Sequence, residues 1–194
     1  MLKIGITGGI GAGKTTVCSV FQNIGIPVFN ADNQAKTLLN NNKVVEFYHK
    51  EFGDVVFSNN LIDKVKLAKL IFNNSEALQK VNNFIHPLVY KLFDEWCLLH
   101  TNKPYLINEA ALLFESQSYK RLDYTILIVA PIETRIKRVA QRDGFSYEDI
   151  KARMDKQLSE EQKIKMADFI IDNNEKELIL PAILNLHNEF LKNK

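Results

Sequence analysis

Residues 2–16 read LKIGITGGIGAGKTT: an apolar stretch, then GxxxxGK[ST] from Gly8 to Thr15, then a helical apolar spacing at Val17, Val20, Phe21 and Ile24. A strand that runs through a glycine-rich turn into a helix is the order of elements of a phosphate-binding loop. Gly8, Gly9, Gly11 and Gly13 can take backbone angles closed to other residues, so successive N–H groups turn inward around an anion. The helix starting near Gly13 aims its N-terminal partial positive charge at the same point. In this reading Gly11, Ala12, Gly13, Lys14, Thr15 and Thr16 bind a nucleotide. Lys14 supplies charge near the β- and γ-phosphates, and Thr15 offers its hydroxyl to Mg²⁺.

Outward from the loop, short β-rich segments at 2–7, 27–30, 105–108, 124–130 and 169–172 alternate with helical ones. That alternation predicts an α/β protein: a three-layer α/β/α P-loop kinase fold with a five-stranded, mainly parallel sheet. Residues 42–100 break the alternation with an almost purely helical reading. They are expected to form an inserted helical lobe in a nucleotide-binding core of residues 1–41 and 101–194. Within the lobe Asp63 and Ser75 occupy helix N-cap positions, and His86-Pro87 reads as the start of a further helix. At the chain's end Asn174 reads as the cap of a helix from 175 to about 192.

The chain has 194 residues, 46% of them hydrophobic, enough for one core with an inserted lobe. A net charge of +2, with lysines scattered among carboxylates, gives no reason to expect nucleic acid. The longest apolar run, Ile126 to Ile132, is far short of a membrane span, and the N-terminus enters a strand directly, so a cytoplasmic protein is expected. No protein partner is implied. Cys18 and Cys97 lack metal-ligand spacing and are expected as buried free thiols.

Ligands of open parallel sheets bind at the C-terminal ends of the strands, so the residues there are candidates for chemistry. Asp32, in VFNADNQA, can accept or orient the proton of an acceptor hydroxyl, or simply cap a helix. Glu109, in YLINEAALLFE, can hold the metal directly or through water, or be a solvated strand-end charge. Arg135, Arg138 and Arg142 share one helix face, either solvated or functional. Arg142, in a QRDG turn before a helix with Arg153 and Gln157, suits a helical pair that closes as a lid and brings arginine to the transferring phosphoryl group. Asn173 belongs to a polar turn that can edge the adenine, and His86 is either a packing residue or a substrate contact.

A GTPase switch is disfavoured, because no aspartate is followed three residues later by glycine and Asn102-Lys103-Pro104-Tyr105 lacks a guanine-reading aspartate. A small-molecule kinase fits best. A nucleoside monophosphate kinase and a non-catalytic nucleotide-binding module remain open on these residues alone.

The chain resembles the dephospho-coenzyme A kinases over essentially its whole length. The matching pieces, in order, are ITGGIGAGKTTV, the xADxxA stretch around Asp32, IHPLV at 85–89, ALLFE at 111–115, QRD at 141–143 with Arg153 and Gln157, and ADFIIDNN at 167–174. The resemblance implies transfer of the γ-phosphoryl group of ATP to the ribose 3′-hydroxyl of dephospho-coenzyme A, with Mg²⁺. It places Asp32 near that hydroxyl and assigns the helical insert to coenzyme A binding and residues around 135–160 to a lid; in mechanistic terms Lys14 and Arg142 are then expected to stabilise charge in transfer. Asn30 stands where the family usually has aspartate, so Asp32 would act alone, and Ala111 stands where it usually has proline.

Overall fold

Along the first strand, Ile4 and Ile6 point to one side of the sheet and Gly5 and Thr7 to the other, and both sides are covered. The computed structural model describes residues 1–192, with all of their side chains except those of Phe72 and Asn73. The strands are β1 (Leu2–Gly8), β2 (Val28–Asn30), β5 (Tyr105–Glu109), β6 (Tyr124–Val129) and β7 (Phe169–Asp172). They form one parallel sheet in the order β2-β5-β1-β6-β7. Because β1 lies in the middle, its C-terminal end, where the glycine loop begins, is flanked by the ends of β5 and β6.

One face is closed by α1 (Lys14–Asn23) and α9 (Leu180–Lys192). Val17, Cys18 and Phe21 of α1 and Ile183, Leu186 and Phe190 of α9 pack on Ile4, Ile6, Ile107, Ile126 and Ile128. Phe190 is the keystone of this layer, meeting Tyr105, Tyr124 and Phe169 at ring separations of 5.4, 5.9 and 5.5 Å. On the other face Leu113 and Leu122 come so close to β1 that a Cβ at position 5 would approach each to 2.7 Å. Two further helices, α6 (Ile132–Asp143) and α7 (Tyr147–Met154), form a pair with its own small core of Ile136, Val139 and Ile150. The next helix, α8 (Glu160–Met166), packs on β6.

The chain divides into two compact units, residues 1–30 with the chain from Trp96 onward, and Ala31–Glu95. The second unit thus starts at Ala31, straight after β2, where the sequence placed the boundary at 42. It comprises α2 (Ala31–Thr37), α3 (Asn42–Phe52), the hairpin of β3 (Phe57–Ser58) and β4 (Leu61–Ile62), α4 (Lys64–Asn73) and most of α5 (Ser75–Leu98). Along α5 the buried residues Ala77, Val81, Ile85, Val89 and Phe93 recur every fourth position and form its inner stripe. Phe47 of α3 stacks on Phe84 at 3.9 Å.

Four local expectations are corrected. Pro87 does not start a helix but lies inside α5. Its ring forfeits one backbone hydrogen bond, and the continuous apolar stripe on both sides of it holds the helix together. The side chain that caps this helix is Asn74, whose Oδ1 accepts from Ala77 N at 2.9 Å, rather than Ser75. Asp63 caps α4 as expected, accepting from Val65 N and Lys66 N. Asn174 closes a turn by accepting from Lys176 N and Glu177 N, and the last helix starts only at Leu180. Residues 57–62 form a hairpin whose two loop residues, Asn59 and Asn60, have φ of 51° and 61°, a left-handed pair suited to asparagine.

Replacing Phe190 with alanine should remove about 3–5 kcal/mol of stability, the range for a fully buried aromatic. Urea denaturation reads this directly: a fall in the midpoint at constant slope is expected, and a loss below about 1 kcal/mol would deny Phe190 its place at the centre of the layer.

Candidate active site

The loop between β1 and α1 is shaped by two left-handed glycines and by what stands against it. Gly11 has φ of 78° and Gly13 of 97°, and Ala12 N closes the turn on Gly9 O at 3.0 Å. A Cβ at Gly8 would lie 2.6 Å from Ile128 O, one at Gly11 would lie 2.5 Å from Arg135 O, and those at Gly9 and Gly13 would collide with the Arg135 guanidinium and the Asn173 amide. Gly13 gives α1 no side-chain cap, which leaves the first turn to be completed from outside the helix, the arrangement that binds anions. Thr15 and Thr16 are exposed there. Lys14 Nζ donates to Gly8 O at 3.0 Å, carrying its charge back across the whole loop.

The outer side of the loop is gripped by polar groups. Arg135, only 7% exposed, donates from Nε to Ile10 O at 3.0 Å and pairs through Nη1 with Glu160 at 3.4 Å. Burial pulls its guanidinium below the ordinary value, and Glu160 opposes that pull. Gln157 Oε1 accepts from Ile10 N at 3.0 Å. Arg138 donates to Gly11 O at 3.2 Å and to Asn173 O at 3.2 Å, and pairs with Glu175. Asn173 Nδ2 donates to Ala12 O at 2.9 Å while its N–H donates to Val129 O, so the turn after β7 braces the end of the loop. Farther out, Glu115 accepts from Leu158 N at 2.9 Å and pairs with Lys163, itself 2% exposed, at 2.9 Å. Gly9, Arg135, Gln157 and Lys163 line a cavity of about 380 Å³ beside the loop.

At the end of β5, Glu109 is 6% exposed and accepts from Asn30 Nδ2 at 2.7 Å, its partner in the β2–β5 register. The Cys18 thiol lies close to the Glu109 carboxylate. Burial, then the Glu109 charge, push that thiol well above its ordinary value, which keeps it neutral. Cys18 and Cys97 are both buried and free. Among the described residues no group of three or more His, Cys, Asp or Glu could hold a metal ion. The exposed Thr15 hydroxyl and the buried Glu109 carboxylate are oxygen donors of the kind that suits a hard divalent ion.

A family model for dephospho-CoA kinase matches residues 2–178. The dephospho-CoA kinase of Bacteroides fragilis is 35% identical over 189 residues, spanning 95% of this chain and 91% of that protein. The chain belongs to the dephospho-CoA kinase family. Among solved structures, one from Thermus thermophilus superposes with a TM-score of 0.87 at 34% identity over 97% of both chains. A dephospho-CoA kinase from Campylobacter jejuni gives 0.70 at 30% identity over 98% of both.

The residues singled out in the sequence lie in different parts of the structure. Gly11 to Thr16 form the loop and the first turn of α1, and Asn173 touches the loop through Ala12 O. Glu109 lies at the end of β5. Arg142 stands apart from the loop's supports: its side chain is 64% exposed and held bidentately by Asp143, at 2.8 and 2.7 Å. Of the three arginines on α6, it is Arg135 and Arg138 that reach the loop. Their spacing flagged the shared face, but no local signal said which of the three would be drawn inward. Asp32 is exposed in the first turn of α2, two residues beyond β2, in the second unit. His86 lies in α5 of that unit, and burial holds its imidazole below the ordinary value. No helix among the described residues is long and apolar enough to cross a membrane.

Two outcomes test this geometry. Gly13→Ala should weaken ATP binding by an order of magnitude or more, whereas Gly144→Ala, at φ 69° with nothing within 4 Å, should cost only the backbone strain of about 1 kcal/mol in stability and leave ATP binding intact. Calorimetric titration of both variants decides it, and equal affinities would contradict the crowding at Gly13. For His86 the folded-state value is depressed, so its contribution to stability is present above the unfolded value and is lost as pH falls through the folded one. The ring's NMR titration midpoint should lie below 6.5, and a midpoint at or above 6.5 would deny the effect of burial.

Proposed function

We propose that this chain transfers the γ-phosphoryl group of ATP to the ribose 3′-hydroxyl of dephospho-coenzyme A, giving coenzyme A and ADP. The observation that carries this reading is the loop from Gly8 to Thr15, set in a chain that matches the family over residues 2–178. The N–H groups of Gly11 to Thr16 receive the phosphates. Lys14 exchanges the Gly8 carbonyl for the β- and γ-phosphate oxygens, and Arg142 exchanges Asp143 for charge that develops on the transferring group. Asp32 takes the proton of the acceptor hydroxyl as that oxygen bonds to phosphorus and the bridge to ADP breaks. His86, neutral at pH 7, offers the substrate a hydrogen bond rather than a charge. Thr15 and Glu109 would hold Mg²⁺, which would neutralise charge on the phosphates. The helical unit as the coenzyme-binding lobe, the region 135–160 as a lid and a cytoplasmic setting complete the reading.

The test is a coupled ADP-release assay with Mg²⁺-ATP, comparing dephospho-coenzyme A with AMP, CMP, shikimate and no acceptor, and weighing the product. Selective turnover to coenzyme A is expected, and turnover of a different acceptor would overturn the substrate. In the same assay Asp32→Asn should cut kcat while ATP affinity stays within about twofold, and parallel losses of both would make Asp32 structural. Lys14→Ala should lower kcat/KM by about 10²–10³-fold, the scale of a lost transition-state charge contact.

A further inference from the structure

The backbone of Ile10, in the middle of the phosphate loop, is held at both of its polar groups, which belong to the two peptide units flanking its Cα. Gln157 Oε1 accepts from its N–H and Arg135 Nε donates to its C=O, each at 3.0 Å. Both holders come from the segment beyond β6, and both are themselves fixed. Arg135 is 7% exposed and paired with Glu160, and its guanidinium fills the space that a side chain at Gly9 would need. Gln157 follows Met154, whose carbonyl accepts the Gln157 N–H, and the next residue, Leu158, is tied by its own N–H to Glu115, which also pairs with the buried Lys163. An N–H committed to Gln157 is directed to the flank of the loop rather than to an anion in its cradle.

We propose that Gln157 and Arg135 are positioning residues that clamp the backbone of Ile10 through its two adjoining peptide units, so that residues 155–160 set nucleotide affinity by holding the loop in its anion-cradling form before ATP arrives. The proposal rests on the reading that this loop binds ATP. A loop left free between Gly9 and Gly11 must be ordered at the moment of binding, and the entropy of fixing a residue or two lowers affinity without touching the chemistry. The clamp removes that cost in advance. It also gives Gln157 a role that needs no contact with the reacting groups.

The test combines amide hydrogen exchange by NMR with ATP titration on the full chain. In Gln157→Leu, which keeps the size but removes the acceptor, the Ile10 amide should exchange at least tenfold faster while Ile4 and Ile6 of β1 keep their protection. The Kd for ATP should rise about tenfold, and KM for ATP should rise with it while kcat at saturating ATP falls less than threefold. Gln157→Glu, which keeps an acceptor oxygen at the same reach, should restore the protection at Ile10. Unchanged exchange at Ile10 in Gln157→Leu would overturn the clamp, as would a freed Ile10 amide with unaltered ATP affinity. Protection lost throughout β1 and not restored by Gln157→Glu would also overturn it, in favour of a merely structural role. Failure of the unmodified chain to bind ATP would instead strike the reading of the loop itself, so the two failures are told apart.

Discussion

Everything at the functional end of the sheet depends on the absence of side-chain volume between Gly8 and Gly13. Strand β6 presses the Ile128 carbonyl against Gly8, Arg135 fills the space over Gly9 and Gly11, and the Asn173 amide closes on Gly13. In a protein interior packed at crystal density such approaches leave no slack, so the loop, the start of α6 and the turn after β7 form one block. The left-handed angles at Gly11 and Gly13 curl the backbone, and the neighbours keep it curled. The anion cradle is a product of crowding as much as of glycine's freedom.

The same block is expensive in charge. Arg135, Lys163 and Glu109 are nearly inaccessible to water, and each is matched by a partner: Glu160, Glu115 and the Asn30 amide. Removing ions from water costs several kcal/mol apiece, which a single ion pair offsets only when geometry is good and further hydrogen bonds join in. These pairs therefore add little net stability; what they provide is direction. A guanidinium that must reach both Ile10 O and Glu160 has few alternative poses. Asn30 fits this pattern: its amide donates a hydrogen bond to Glu109 where a carboxylate in its place would repel.

Much of the fold was legible because its signals are local. β-branched runs and the spacing of apolar positions marked the five strands of the parallel sheet to within a residue or two, and the glycine loop carries its purpose in adjacent residues. Where the reading slipped, a local rule met a tertiary one. Pro87 looked like a helix start, but the buried stripe from Ala77 to Phe93 holds one helix through it. The Asn59-Asn60 turn was a hairpin signal overlooked inside a segment read as helical. The candidate site divides similarly. Gly11 to Thr16, Glu109 and Asn173 were visible, while the inward turn of Arg135 and Arg138 depends on carbonyls more than a hundred residues away in sequence, which no spacing along α6 encodes.

Cys18 gives this arrangement a chemical voice. It sits on the first turns of α1, buried, neutral and close to Glu109. Thiol reagents attack the thiolate of an accessible cysteine, so in the closed molecule this sulfur is silent. Its alkylation rate is the rate at the open form multiplied by the fraction of time the first turns of α1 spend open. The native cysteine is thus a built-in clock of local opening beneath the phosphate loop, and anything that braces the loop slows it.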